Sequence, residues 1–158
     1  PIMKFGFEAF CQKCVECGID GVIIPDLPFK DYEETYKPIA DRYDIRVIML
    51  ITPETSEARV REIDEHTDGF IYMVSSAATT GAQKDFDSQK QAYFKKIQDM
   101  HLRNPRMVGF GISNKQTFDA ACANSSGAII GSRFVTLLNE AEGDAEKAIT
   151  QLKEGLKK

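Results

Sequence analysis

The sequence predicts an α/β fold of parallel strands, namely a partial (β/α)8 barrel of about five strands with their helices. Short apolar runs alternate with stretches of helical periodicity, which is typical of βαβ units. A helical stretch precedes the first apolar run, and the 158 residues fall short of the roughly 250 that eight units need. We therefore expect one domain over residues 1–158, corresponding to the C-terminal part of such a barrel. An open, doubly wound sheet is the alternative, although it would normally begin with a strand.

The strands are predicted from five short apolar runs, which are bounded by glycine, proline or polar residues. Continuous apolar runs indicate strands that are buried on both faces, as in parallel sheets. The predicted strands are Gly21–Pro25, Arg46–Ile51, Asp68–Val74, Met107–Ile112 and Ala128–Ile130.

The helices are predicted from amphipathic periodicity and from residues that begin or interrupt helices. Asp31 is the candidate N-cap of the second helix, which Pro38 shortens or kinks. Thr55 or Ser56 begins the third helix, and Ser113 caps the fifth. The predicted helices are Phe7–Cys17, Tyr32–Arg42, 55–66, Gln91–Leu102, Lys115–Ala123, Arg133–Leu138 and Asp144–Leu156.

The segment from Ser75 to Lys90 is polar and has no clear periodicity. Its sixteen residues are long for a connection between a strand and a helix, and long loops at such positions are often lids. The sequence thus predicts a mobile polar cover, and a plain solvated loop is the alternative.

The composition excludes several classes of function. The chain is 42% hydrophobic and 28% charged, as a soluble globular domain is, and no apolar run is long enough for a transmembrane helix. The opening PIMKFGFEAF does not resemble a signal peptide, which favours a cytoplasmic protein. The net charge of −4 argues against nucleic-acid binding.

Three cysteines, Cys11, Cys14 and Cys17, have the spacing that begins an iron–sulfur ligand set. The same spacing places them on one side of a helix, where cysteine behaves as a small apolar residue, and this interpretation is favoured. His66 and His101 lie near the ends of predicted helices, away from the strand ends that would form a site. We therefore predict no metal site.

Glycines follow the last strands at the edge where ligands of parallel α/β proteins bind. Gly111 and Gly131 would let backbone N–H groups approach an anion, and Ser132 opens a short helix whose N-terminus favours negative charge. Thr80 and Gly81 would close the site from the preceding loop. The sequence therefore predicts a phosphate site, with simple turn-forming glycines as the alternative.

Two further residues near strand ends allow two interpretations each. Asp26 is the only carboxylate directly at a strand end, but an aspartate between two prolines is equally a turn former. Tyr72, within the third strand, points either to the barrel mouth or into the core. No strand carries the lysine that a Schiff-base aldolase requires.

Five motifs, in order and with matching spacing, resemble the tryptophan synthase α chain family. These are GIDGVIIPDLP, LITPETSEARV, FIYMVSSAATTGA, GFGIS and GAIIGSRFV. The resemblance covers essentially the whole chain, in which Pro1–Gly6 corresponds to the loop after the family's third strand. It implies a (β/α)8 barrel that cleaves indole-3-glycerol phosphate, by a retro-aldol reaction, to indole and glyceraldehyde 3-phosphate in tryptophan biosynthesis.

The resemblance also assigns roles to residues. It implies that the phosphate is held by Gly81, Gly111, Gly131 and Ser132. Thr80 would lie on the loop that closes over the site, and Phe110 and Tyr72 would line the pocket beside the indole and glycerol parts. Ile51 and Leu27 are further candidate pocket walls, and Asp26 would lie near a subunit interface.

The resemblance assigns no catalytic residue to this chain. The family's catalytic Glu and Asp lie upstream of the position that matches Pro1, so we expect the 158-residue chain alone to be inactive. The implied partner is the β subunit, in an α2β2 heterotetramer. That subunit holds the pyridoxal phosphate, and no cofactor is expected in this chain.

Two alternatives remain open at this point. One is another phosphate-binding barrel enzyme, such as an indole-glycerol-phosphate synthase or a thiamine-phosphate synthase. The other is a non-catalytic module that binds a phosphate ester or a partner. In every case a partial barrel leaves two sheet edges unpaired, which predicts an opened sheet, self-association or docking across the gap.

Overall fold

The computed structural model of the chain describes residues 1–74, 83–109 and 111–157, with the side chains of the second range described from residue 88 onward. The chain divides into two compact units. The first unit comprises Pro1–Ile51, Thr55–Tyr72 and Arg103–Pro105, and the second comprises Thr52–Glu54, Met73–Leu102 and Arg106–Lys158. Among the described helices, none combines the length and apolar character that spanning a membrane requires.

Six short strands are described where the sequence predicted five. Their bounds are β1 Gly21–Ile23, β2 Arg46–Ile48, β3 Leu50–Ile51, β4 Ile71–Val74, β5 Arg106–Gly109 and β6 Gly127–Ala128. Strands β1 and β2 form a two-stranded parallel sheet, and the others form a four-stranded sheet in the order β3-β4-β5-β6. The extra strand arises because the run over residues 46–51 is interrupted at Met49, whose carbonyl accepts a 3.0 Å hydrogen bond from the Tyr72 amide.

The helices follow the predicted alternation with the strands. They are α1 Ile2–Phe5, α2 Phe7–Glu16, α3 Phe29–Asp31, a π-helical turn Tyr32–Tyr36, α4 Lys37–Arg42, α5 Glu57–His66, α6 Gln83–Asp99, α7 Lys115–Cys122, α8 Ser132–Glu140 and α9 Ala145–Gly155. Of the two residues predicted to begin the third helix, Ser56 is the N-cap of α5, since its side chain accepts a hydrogen bond from the Arg59 amide. Asp144, predicted as the first residue of the last helix, is instead the N-cap of α9 and accepts a hydrogen bond from the Lys147 amide.

The prediction of a polar, lid-like loop over Ser75–Lys90 is wrong for residues 83–90. Helix α6 begins at Gln83 rather than at Gln91, so these residues are helical and not a loop. A polar stretch that includes good helix formers such as Gln and Lys extends a helix without showing an apolar stripe, and periodicity alone therefore missed it. The remaining residues of the segment, 75–82, lie outside the described residues.

The second helix begins earlier than predicted, and Asp31 is not its N-cap. The helix starts at Phe29, directly after Pro28, so Asp31 lies inside it and its side chain makes no capping hydrogen bond. The predicted effect of Pro38 takes the form of the π-helical turn, in which the Lys37 amide donates to the carbonyl of Tyr32. Pro38 has no N–H to continue the regular ladder, which is a common reason for such an irregularity.

The core of the first unit contains branched apolar residues from its strands and from α5. Those with no more than 3% exposure are Val47, Ile51, Val60, Ile63 and Ile71. Cys11 and Cys14 on α2 are also buried, and this burial raises the pKa of both thiols. Cys17 is exposed, and the described residues contain no cluster of three ligands able to hold a metal ion.

A buried polar cluster fixes the end of α5 to the segment that precedes β5. The Asp64 carboxylate, which is 7% exposed, accepts hydrogen bonds from the amides of Arg103 at 2.7 Å and Asn104 at 2.8 Å. The Asn104 side chain donates to the carbonyls of Asp64 and Thr67, both at 2.9 Å. Because every one of these groups is partnered, the cluster stabilises the connection instead of leaving polar atoms to be solvated.

In the second unit, α8 and α9 pack against each other through one apolar cluster. Leu137, Ala141 and Ala148 are buried there, and three partly buried residues pack against them. The latter are Phe134, Leu138 and Leu152. The predicted helix over Arg133–Leu138 is therefore longer than expected, because its apolar stripe continues to Ala141 and meets the following helix.

Candidate phosphate site

The register of β5 and β6 aligns the two glycines that the sequence placed at strand ends. Met107 pairs with Gly127 and Val108 with Ala128 in parallel, and the Ile129 amide donates to the Val108 carbonyl at 2.8 Å. Gly111 and Gly131 each lie three residues beyond the Val108–Ala128 pair. They therefore follow neighbouring strands at the same edge, where ligands of parallel sheets bind.

The backbone conformation requires glycine at position 111 but not at position 131. Gly111 has φ +73°, which an L side chain rarely adopts, so the backbone itself requires glycine there. Gly131 has φ −98°, which any residue can adopt, and no atom lies within 4 Å of the position of an added Cβ. Both residues are exposed, and so is Ser132. The space beside Gly131 is thus open to a ligand.

Helix α8 begins at this edge without a side-chain cap. Gly131 is its N-cap, and the first helical hydrogen bond runs from the Val135 amide to the Gly131 carbonyl at 3.0 Å. Within the described part of the chain, the amides of residues 132–134 donate no hydrogen bond. Unpaired amides and the helix dipole together favour an anion at this end.

The two other helices of this unit whose N-caps are described are capped by their own side chains. Asn114 accepts a 2.9 Å hydrogen bond from the Thr117 amide at the start of α7, and Asp144 caps α9. The prediction that Ser113 caps α7 is therefore wrong by one residue. Asn114 has the extended backbone of an N-cap and forms a reciprocal capping box with Thr117.

Arg133, in the first turn of α8, is directed along its own helix. Its guanidinium lies 3.9 Å from the Glu140 carboxylate, and both side chains are largely exposed. An exposed pair of this kind contributes little to stability. The Arg133 side chain is therefore paired along α8, and the groups left unpaired at the start of this helix are backbone amides.

Three predicted site residues, Thr80, Gly81 and Phe110, lie outside the described residues. Tyr72 belongs to the first unit, where it is half-buried in β4, and burial raises the pKa of its hydroxyl. Asp26 is exposed in a turn closed by a 3.1 Å hydrogen bond from the Leu27 amide to the Ile24 carbonyl. This geometry fits the turn-forming interpretation of Asp26.

The first unit also contains a cavity of about 230 Å³ that the sequence did not reveal. Leu27, one of the predicted pocket walls, lines it, whereas Ile51 is fully buried and does not. The Arg59 guanidinium lies 5.1 Å from the centre of the Phe29 ring at its wall, a cation–π contact. Long-range packing of this kind leaves no local signal in the sequence.

The parallel strand pairs and alternating helices place the chain in the (β/α)8 barrel class, of which it contains a part. A family model described as tryptophan synthase alpha chain matches residues 1–158. The chain belongs to the tryptophan synthase alpha chain family.

Individual relatives agree with this assignment. The chain is 79% identical over 153 residues to the tryptophan synthase alpha chain of Bacteroides fragilis, covering 97% of this chain and 58% of the relative. It is 78% identical over 157 residues to that of Bacteroides thetaiotaomicron, covering 99% and 61%. The solved tryptophan synthase subunit alpha from Campylobacter jejuni is 29% identical, with a TM-score of 0.79, over 98% of this chain and 60% of that one. The chain thus spans about three-fifths of the length of these relatives.

Proposed function

We propose that this chain supplies the phosphate-binding part of a carbon–carbon lyase of tryptophan biosynthesis. The substrate would be indole-3-glycerol phosphate, which the reaction cleaves to indole and glyceraldehyde 3-phosphate. The single observation that carries the proposal is the register that aligns Gly111 with Gly131 beside the uncapped start of α8. A dianionic phosphate ester matches such a set of unpaired amides without needing a lysine or arginine.

The proposed roles follow the family resemblance residue by residue. Gly111, Gly131 and Ser132 would hold the phosphate together with Gly81, and Thr80 would close over it. Tyr72 and Phe110 would contact the indole and glycerol parts of the substrate. Membership of the family supports these roles, and the exposure of Gly111, Gly131 and Ser132 leaves them accessible to a ligand.

The proton transfers are not assigned to this chain. Retro-aldol cleavage requires protonation of the indole carbon that bears the side chain and removal of a proton from a glycerol hydroxyl. The family resemblance gives these tasks to a Glu and an Asp of segments that precede the matched region. We therefore propose that the 158 residues bind the substrate without turning it over.

The proposal extends to partners and location. The β subunit would receive the indole in an α2β2 assembly, and it would hold the pyridoxal phosphate, whereas this chain would need no cofactor. Such an enzyme would work in the cytoplasm.

The test separates binding from catalysis. The 158-residue chain is mixed with indole-3-glycerol phosphate, binding is followed by calorimetry, and released indole is measured by chromatography. We expect binding and no indole above the level without protein. Protein-dependent indole release would contradict the proposed lack of turnover, and the absence of binding would contradict the phosphate site.

A further inference from the structure

The Thr117 hydroxyl makes several hydrogen bonds to the segment that follows Gly111. It accepts hydrogen bonds from the amides of Ser113 at 3.1 Å and Asn114 at 3.2 Å. Its own proton is shared toward Asn114, whose carbonyl oxygen and Oδ1 lie 3.0 and 3.1 Å away. A hydroxyl has one proton and two lone pairs, so its hydrogen-bonding capacity is fully used.

These bonds determine which backbone amides after β5 remain available to a ligand. The amides of Ser113 and Asn114 would otherwise be unpaired donors before α7. Both donate hydrogen bonds to the Thr117 hydroxyl. The amides of Gly111 and Ile112 donate no hydrogen bond within the described residues. The amides of Ser113 and Asn114 are therefore taken by Thr117, while those of Gly111 and Ile112 stay available.

We infer that Thr117 is a positioning residue for the phosphate site, acting through the backbone of Ile112–Asn114 on Gly111. This inference rests on the proposed phosphate site and deepens it. Gly111 has φ +73°, and a Cβ there would meet nothing within 4 Å, so no side chain of the described residues packs against this position. The Thr117 bonds are the contacts that anchor the chain just after it and direct its amide to the ligand.

The test uses the 158-residue chain, glycerol 3-phosphate as the probe, and the amide resonances of Gly111 and Gly131 in a nuclear magnetic resonance titration. Thr117→Val keeps the shape of the side chain and removes the hydroxyl, and we expect it to weaken binding about fivefold. Thr117→Ser keeps the hydroxyl and should restore affinity to within about twofold of the unmodified chain.

Asp144→Ala is the matched control, because it removes the side-chain N-cap of α9 in the same unit, away from Gly111. We expect it to lower stability as Thr117→Val does, while binding stays within about twofold of the original. Equal losses of affinity in the two variants would overturn the inference, because they would show a general effect of stability.

Two further outcomes distinguish the inference from the proposed function. If Thr117→Val folds and binds as tightly as the unmodified chain, the role of Thr117 is overturned and the phosphate site stands. If the unmodified chain gives no shift at either glycine, the phosphate site falls, and the inference with it.

A measurement on the unmodified chain covers the case in which Thr117→Val does not fold. Amide hydrogen exchange should be slow at Ser113 and Asn114, which are bonded to Thr117, and fast at Gly111. Fast exchange at Ser113 and Asn114 would overturn the inference.

Discussion

The amide of Ile129 donates a 2.8 Å hydrogen bond to the carbonyl of Val108, and this bond aligns the ends of two neighbouring strands. Gly111 and Gly131 follow these ends at equal distance along the chain. A slip of one residue would separate the glycines by about 3.3 Å and turn every side chain of the strand to the other face. The proposed phosphate site therefore depends on a register that main-chain bonds determine.

The first prediction concerns Gly131→Asp. Because φ is −98° and no atom lies within 4 Å of an added Cβ, we expect the free energy of unfolding to change by less than about 1 kcal/mol. The new carboxylate would occupy the amides of α8 and repel a phosphate, so binding of glycerol 3-phosphate should be lost. Calorimetry and thermal denaturation measure the two effects.

Gly155→Asp is the charge-matched control for this variant. Gly155 lies at the end of α9, and a Cβ there also meets nothing within 4 Å. Binding should be unchanged in this control. Equal loss of binding in both variants would show that net charge, and not the position of Gly131, is responsible.

The second prediction concerns the buried Asp64. Asp64→Ala leaves the buried amide of Asn104 and the part-buried amide of Arg103 without their acceptor. Leaving buried donors unpaired should lower the free energy of unfolding by about 2–4 kcal/mol, measured by urea denaturation. Asp99→Ala, which removes a surface pair with Lys95, is the control and should cost less than about 1 kcal/mol. Similar losses in the two variants would disprove a special role for the cluster.

The third prediction concerns alkaline pH. Burial, with smaller contributions from Asp41 and Asp68, raises the pKa of Tyr32 to about 12. The unfolded state loses this proton near pH 10 and the folded state only near 12, so the folded state holds more protons between these values. Stability should therefore fall as pH rises through this window, by about 2 kcal/mol for this group.

Tyr32→Phe isolates that contribution. The stability difference between the original chain and the variant should be constant below pH 10 and should shrink above it. Denaturation followed from pH 8 to pH 12 gives the measurement. A difference that does not change with pH would show that the Tyr32 hydroxyl titrates normally.

The fourth prediction concerns the unpaired edge of β1. Within the described residues, β1 has a strand on one side only, and Ile23 is 43% exposed. An unpaired edge with an exposed apolar residue favours pairing with another chain, so we expect concentration-dependent self-association in sedimentation velocity. Ile23→Lys should reduce it, since edge lysines oppose such pairing. A single monomeric species at all concentrations would contradict this prediction.

The sequence predicted the alternation of elements because each element leaves a local signal. Ser56 at the start of α5 and Asp144 at the start of α9 are hydrogen-bond acceptors placed directly before amphipathic stretches. Both helices begin within two residues of their predicted starts. The glycines after β5 and β6 were likewise visible as breaks after apolar runs.

Other features depend on packing and had no local signal. The register of β5 on β6, the interruption at Met49 and the cavity beside Phe29 all arise from contacts between distant segments. The early start of α6 was missed because its first turns lack an apolar stripe. Asn114 was missed as an N-cap, although the Thr117 three residues later was a signal for a capping box.

The most direct test of the phosphate site is a crystal structure of the chain with glycerol 3-phosphate. We predict phosphate oxygens about 3 Å from the Gly111 amide and from the first amides of α8, with Ser132 beside them. A phosphate bound at the start of α7, or at any position that contacts neither Gly111 nor Gly131, would contradict the account.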